Sequence, residues 1–221
     1  TRYRRDAQKA MLDAQGAIPC WVMSHAKVSE SMPAQLGIFD LVIVDEASQS
    51  DLWALPAILR GKKILVVGDD KQVSPSGGFI TAAKITMLRE RFLADQPYGQ
   101  DLTPEKSLYD IASTVFAAER VMLAEHFRCV QPIIAYSNRT FYKNQIRPLR
   151  VPKASERIDP PLVDVFIQQG VRDNRDVNKM EAEFIATEIE AILDDPRYRN
   201  RTIGVVSLLG PDQAKFIYNL W

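Results

Sequence analysis

Two short apolar runs, each stopping abruptly at a cluster of polar residues, constrain this chain most. Phe39-Asp40-Leu41-Val42-Ile43-Val44 ends in Asp45-Glu46-Ala47-Ser48-Gln49, and Ile64-Leu65-Val66-Val67 ends in Gly68-Asp69-Asp70-Lys71-Gln72. Buried strands of a parallel sheet read as such Val/Ile/Leu runs, and α/β folds collect ligand groups just past the strands' carboxyl ends. Both polar clusters are therefore expected to project into one crevice.

The remaining pattern supports that class. A polar helix from about Arg5 to Gln15 leads into an apolar segment, Ala17 to Met23, that reads as a strand, and a short helix covers Lys27 to Met32. Asp51 to Leu59 reads as a helix with Asp51 at its start and Gly61 as its stop. Val73-Ser74-Pro75-Ser76-Gly77-Gly78 is a turn-rich loop, and Thr81 to Ala118 is mostly helical, broken at Asp95-Gln96-Pro97-Tyr98-Gly99. Strand and helix then alternate again: Val121 to Leu123, helix Gln131 to Phe141, Leu162 to Phe166, helix Asn178 to Leu193, and strand Thr202 to Val206. Ile185, Ile189, Ile192 and Leu193 recur on one face of the last helix, and Asp195-Pro196 ends it. Alternation of this kind predicts α/β architecture with parallel sheets flanked by helices.

Composition excludes several classes. With 28 basic and 28 acidic residues among 221, the chain has no global field of the kind that draws in nucleic acid. Contacts of that sort must come from local clusters: Arg2, Arg4 and Arg5; Lys143, Arg147, Arg150, Lys153 and Arg157; or Arg197, Arg199 and Arg201. Each reads first as a solvated face and only second as a binding stripe. Cys20 and Cys129 provide neither a disulfide framework nor metal-ligand spacing, so they are expected to be reduced thiols in a cytoplasmic protein. No apolar run is long enough for a membrane span. The sequence starts and stops in mid-pattern, and a central piece of a longer chain is expected.

Taken singly, the polar clusters have ordinary explanations. Asp45-Glu46 could cap a helix, and Gly68-Asp69-x-x-Gln72 could be a plain turn. A third cluster, Glu125-His126-Phe127-Arg128, follows the first strand of the second α/β half. Carboxylates, an amide and a guanidinium drawn from separate strand ends suit an anionic ligand with a metal: carboxylates for Mg2+ and water, Gln for water or phosphate, Arg for phosphoryl charge.

At these residues the chain resembles superfamily 1 nucleic-acid helicases. Asp45-Glu46-Ala47-Ser48-Gln49 is similar to their motif II, Gly68 through Pro75 to motif III, and His126-Phe127-Arg128-Cys129 to motif IV. Ser137-Asn138-x-x-Phe141-Tyr142 is similar to the segment after motif IV. Asn178-x-x-Glu181-Ala182, with Thr202 through Gln213, matches motif IVa. The nearest branch is the one related to the nonsense-mediated-decay helicase (superfamily 1B), whose members generally move 5′ to 3′.

The resemblance implies two partial RecA-like lobes: residues 1–97 as the later part of the first, 98–119 as a helical connector, and 120–221 as the earlier part of the second. It implies ATP and Mg2+ as cofactors. Asp45 would hold Mg2+, Glu46 would be the general base, Gln72 would sense the γ-phosphate, and Arg128 would be an arginine finger. Gly68 and Asp69 would border the nucleotide, and Phe127 would stack on adenine where relatives carry tyrosine; a plain core aromatic is its other reading. Ser24, His25 and Gln213 fall where relatives contact single-stranded DNA or RNA, although Gln213 could simply begin the last helix. His126 reads as structural.

One element is absent from the sequence. GxxxxGK followed by Ser or Thr, whose backbone N–H groups and lysine hold the β- and γ-phosphates, occurs nowhere in the chain; Gly61-Lys62-Lys63 lacks the spacing. The expectation is an ATP-driven translocase whose central piece is inactive alone. The competing readings are a non-catalytic helicase-like binding module and a remodelling ATPase of repair or defence. Incomplete sheets would leave open edges, with exchange of strands between copies as the hazard.

Overall fold

The computed structural model describes residues 2–74 and 81–221. Within it the run at Phe39 becomes strand β1 (Phe39–Val44) and the run at Ile64 becomes β2 (Gly61–Val66). The two lie parallel, with Phe39 opposite Gly61 and Val44 opposite Val66. Their carboxyl ends therefore finish level with each other. Gly61 opens β2 rather than stopping a helix: a Cβ there would sit 2.7 Å from the Lys63 carbonyl oxygen and 2.9 Å from Val42 Cγ2. The close approach of β1 requires glycine at that point.

The chain divides into two compact units, Thr1–Leu123 and Ala124–Trp221. In the first, α1 (Arg2–Ala14) and α2 (His25–Ser31) precede β1, and α3 (Leu55–Ile58) lies between the strands. α4 (Ala82–Phe92) and α5 (Leu108–Val115) follow β2. Asp51 starts the turn before α3 as expected, its Oδ1 accepting the Trp53 amide hydrogen at 2.9 Å. The core joins Val44, Ala47, Ala54 and Leu108, with Val42, Ile58, Val66 and Tyr109 packed against it. Burying a side chain such as Leu108 or Val44 contributes about 1.5–3 kcal/mol.

α5 is seated by its own first turn. Ser107 Oγ accepts the Asp110 amide hydrogen at 3.1 Å while Asp110 Oδ2 accepts the Ser107 amide at 2.9 Å. The Leu108 amide then donates to the Ser50 carbonyl at 2.7 Å. The helix is thereby fixed against the turn that follows β1. Beneath α3, the buried Arg60 guanidinium donates to the carbonyls of Pro33 at 3.0 Å, Met32 at 3.2 Å, and Pro56.

In the second unit, β3 (Glu125–His126) pairs in parallel with β4 (Arg147–Pro148), joined through α6 (Gln131–Phe141). Asn138 on α6 holds the approach to β4: its Oδ1 accepts the Ile146 amide at 2.9 Å and its Nδ2 donates to the Ile146 carbonyl at 2.8 Å. α7 (Lys179–Asp194) packs on α8 (Pro211–Asn219). Asn178 caps α7 by accepting the Glu181 amide, and Asp195 begins the turn that follows it.

The structure corrects four expected strands. Ala17 to Met23, Val121 to Leu123, Leu162 to Phe166 and Thr202 to Val206 form no ladder. An apolar run reports a preference for burial; a ladder needs another strand alongside, and among the described residues these segments have none. Val22, Phe166 and Val206 accordingly stand more than four-fifths exposed. β1 and β2 likewise bury one face, leaving Leu41, Ile43 and Leu65 about half exposed on the other. The end of the turn-rich loop, Pro75 to Gly78, lies outside the described residues. Among the described residues no helix is long and apolar enough to cross a membrane.

Candidate functional site

The site is built where β1 and β2 end. The Val67 amide donates to the Val44 carbonyl at 2.8 Å, and the Ala47 amide donates back to the Val67 carbonyl at 2.9 Å, so pairing continues past both strands into the turns. Asp45 Oδ1 accepts the Glu46 amide hydrogen at 3.0 Å. Glu46 itself is left-handed, with φ 52° and ψ 39°, a conformation that is costly for a residue with a Cβ. That reversal turns the chain into Ala47–Gln49, a single 3-10 turn whose Gln49 Nε2 donates to Glu46 Oε2 at 3.3 Å. Asp45 and Glu46 are both exposed, while Ala47 and Ser48 beneath them are buried.

The second turn docks onto the first. Buried Ser48 accepts the Asp69 amide hydrogen on its Oγ at 3.2 Å. Asp69 then organises its own loop, Oδ1 accepting the Lys71 amide at 3.0 Å and Oδ2 accepting Gln72 Nε2 at 3.2 Å. Gly68 is required by contact: a Cβ there would meet Tyr109 Cδ2 at 2.7 Å and the Ser48 nitrogen at 3.0 Å. Asp70 lies between two cations, Lys71 Nζ at 2.9 Å and Arg120 Nη2 at 3.2 Å. The Lys71 hydrogen bond, against a burial penalty and with the charges of Lys71 and Arg120 added, holds its carboxyl below the usual carboxylate range.

The expected residues of the first half are thus brought to one edge. Asp45, Glu46, Gly68, Asp69 and Gln72 occupy adjoining turns at the carboxyl end of one parallel strand pair. Ser24 and His25 lie elsewhere in that unit, at the start of α2, where Ser24 Oγ accepts the Lys27 amide at 3.3 Å. In the second unit, Phe127 and Arg128 are exposed on the turn after β3. His126 Nε2 accepts the Cys129 amide at 2.9 Å, closing that turn, and the Arg128 carbonyl accepts Arg150 Nη1 at 2.6 Å. Gln213 is buried on α8, its Oε1 accepting the Asn178 amide at 2.8 Å and its Nε2 donating to the Asn178 carbonyl at 3.2 Å. Both ends of its amide are engaged in holding α8 to the start of α7.

A family model described as AAA domain matches residues 2–76, the stretch that contains both turns. An uncharacterized ATP-dependent helicase of Mycoplasma pneumoniae, the MG140 homolog, is 26% identical over 205 residues, covering 90% of this chain and 17% of that protein. The ATP-dependent helicase MJ0104 of Methanocaldococcus jannaschii is 25% identical over 154 residues, covering 68% of this chain and 19% of its own length. The human 3'-5' exoribonuclease HELZ2 is 24% identical over 135 residues, 58% of this chain and 4% of that protein. Over most of its length the chain is similar to proteins described as ATP-dependent helicases. Its α/β architecture, with small parallel sheets flanked by helices, is RecA-like in the AAA-matched region. It spans less than a fifth of the length of each of these relatives. No solved structure matches it.

Several residues that shape the site carried no sequence signal of their own. Tyr109 sits in a region read only as helical and Arg120 just beyond it, and what they touch depends on how α5 packs. Ser48 lay inside the recognised segment, but its bond to the Asp69 amide joins residues 21 apart in sequence, a relation that only the strand register supplies.

Proposed function

We propose that this chain carries the central ATP-hydrolysis elements of a nucleic-acid helicase or translocase, moving on single-stranded DNA or RNA. In this reading residues 1–97 are the later part of a first RecA-like lobe, 98–119 a connector, and 120–221 the earlier part of a second. The observation that carries it is the docking of the Asp45–Gln49 turn onto the Gly68–Gln72 turn through Ser48 and Asp69. An acidic pair and a glutamine are thereby held together at the strand ends where α/β folds bind ligands.

Glu46 is the general base that takes a proton from the attacking water, and Gln72 reports the γ-phosphate. Phe127 stacks on the adenine ring, Arg128 meets developing phosphoryl charge, and Gly68 and Asp69 border the nucleotide. Asp45 is the residue that would hold Mg2+. Its carboxylate is exposed, with Oδ1 oriented by the Glu46 amide. Among the described residues no three acidic, His or Cys side chains gather as a metal cage. One carboxylate with phosphate and water as the other ligands suits Mg2+, which is bound in that manner beside nucleotides. When bound, Mg2+ would neutralise phosphate charge. Ser24, His25 and the basic clusters are the candidates for contact with the strand, and Gln213 would act there through the α7–α8 packing.

The test is Mg2+-dependent ATP hydrolysis by the full-length protein with single-stranded DNA and RNA as alternative stimulants. Glu46→Gln is expected to lower kcat by about 100- to 10,000-fold while nucleotide binding is kept. Equal loss of binding and turnover, or no loss of either, would overturn the role of Glu46. The 221-residue chain alone, with no phosphate-loop sequence, is expected to show no turnover. Strand-displacement assays on the full-length protein would separate unwinding from remodelling.

A further inference from the structure

Arg120 makes two contacts that converge on the turn carrying Gln72. Its Nη2 donates to Asp70 Oδ1 at 3.2 Å, across 50 residues of sequence. Its guanidinium carbon lies 5.2 Å from the centre of the Tyr109 ring. That same ring occupies the space a Cβ at Gly68 would need. One arginine thus meets the turn at two points, through the Tyr109 ring at Gly68 and directly at the Asp70 carboxylate. Arginine suits the task because its planar cation stacks on an aromatic face while its N–H groups remain free to pair.

The place of Arg120 in the chain adds a second fact. It follows the short 3-10 turn Ala117–Glu119 after α5 and opens the stretch that runs directly to the boundary between the units. Arg120 therefore ties that stretch to Asp70. Within this turn Gln72 is held by Asp69, Asp69 by Ser48, and Asp70 by Lys71 and Arg120.

We propose that Arg120 is a positioning residue that clamps the Gly68–Gln72 turn and couples the setting of Gln72 to the segment entering the second unit. The role of Gln72 at the γ-phosphate is taken from the function proposed above. The clamp itself stands on the contacts alone, and the two can fail separately.

Two measurements test it, with Arg120→Gln, Arg120→Lys and the exchange Asp70→Arg with Arg120→Asp. The first is amide hydrogen exchange in the full-length protein. Arg120→Gln is expected to speed exchange at Asp69, Lys71 and Gln72 by about two- to fivefold, the range of an exposed ion pair. Arg120→Lys, which keeps the charge but not the stacked plane, should fall between, and the exchanged pair should recover protection. Unchanged protection in Arg120→Gln would overturn the clamp.

The second is steady-state ATP hydrolysis by the full-length protein. Arg120→Gln should lower kcat by about two- to fivefold with KM for ATP unchanged, with recovery in the exchanged pair. Loss of protection with kcat unchanged, in a protein whose turnover is abolished by Glu46→Gln, would overturn the coupling and leave the motor intact. Turnover indifferent to Glu46→Gln would instead count against the function, with the exchange data still judging the clamp.

Discussion

Ser48 Oγ accepts the amide hydrogen of Asp69 at 3.2 Å, joining the turn after β1 to the turn after β2 through a buried hydroxyl. Parallel pairing puts the two strand ends level, but level ends do not fix two loops. This bond does, and it leaves Asp45, Glu46 and Gln72 on adjoining turns while the hydroxyl and the Gly68 backbone lie beneath them.

The closeness of that packing predicts the effect of a single methyl group. Gly68→Ala would set a Cβ 2.7 Å from a Tyr109 ring carbon and 3.0 Å from the Ser48 nitrogen. Overpacking of this kind costs about 1–3 kcal/mol. Adding Tyr109→Leu removes the ring contact but not the backbone one, so partial recovery is expected. Urea-unfolding midpoints of the two single variants and the double variant measure the coupling. Strict additivity would show that the ring is not what excludes a side chain at Gly68.

Arg60 gives a second stability prediction. Its buried guanidinium serves carbonyls of Met32, Pro33 and Pro56, tying the segment after α2 to α3. Arg60→Met keeps the stem and removes three charge-assisted bonds, while the Met32 oxygen keeps Gln8 Nε2 and the Pro33 oxygen keeps the Gln35 amide, at an expected cost of about 1.5–3 kcal/mol. Arg60→Lys should recover only part, since one ammonium cannot reproduce the planar fork that meets three diverging acceptors. A methionine variant as stable as the parent chain would contradict the structural role given to these bonds.

Much of this arrangement could be read from residues. β1, β2, α6 and α7 follow from apolar runs and periodicity, because in each the local pattern and the tertiary packing agree. Gly61 and Gly68 are examples of the opposite. Both looked like turn or stop glycines, yet each is there because a neighbour approaches closely, β1 in one case and Tyr109 in the other. The four expected strands without a ladder fail for a related reason, since pairing depends on a second segment that a one-dimensional pattern does not name. The residue types of the site were visible in sequence; the hydrogen bonds that hold them, through Ser48, Asp69, Tyr109 and Arg120, were not.

The lowered pKa of Asp70 predicts a pH dependence with a definite sign. A carboxyl whose folded pKa lies below its unfolded value binds fewer protons when folded, so its contribution is fully present above the unfolded pKa. It is lost as pH falls through the folded one. The window therefore opens near the ordinary aspartate value of about 3.9 and extends downward. Because the Asp70 side chain is 40% exposed, solvent screening limits the effect to under about 1 kcal/mol. Asp70→Asn should be slightly less stable than the parent chain at neutral pH, with the gap closing in acid. Urea midpoints on both sides of the window test this, and a gap that widens as pH falls would reverse the assignment.

Glu46 offers the sharpest separation of stability from function. Its left-handed backbone, φ 52° and ψ 39°, costs a residue with a Cβ about 1–2 kcal/mol relative to glycine. Glu46→Ala keeps that strain and loses the Gln49 hydrogen bond, whereas Glu46→Gly relieves it at some cost in unfolded-chain entropy. The glycine variant is expected to be about 1 kcal/mol more stable than the alanine variant, measured as a difference in unfolding midpoints. In the full-length protein both should lose ATP turnover together with Glu46→Gln, since none retains a carboxylate that can take the proton from water. Stability would then rank the three variants while activity would not, as expected if the strained conformation persists to present the carboxylate. An alanine variant at least as stable as the glycine variant would show that the turn does not hold residue 46 in the left-handed region.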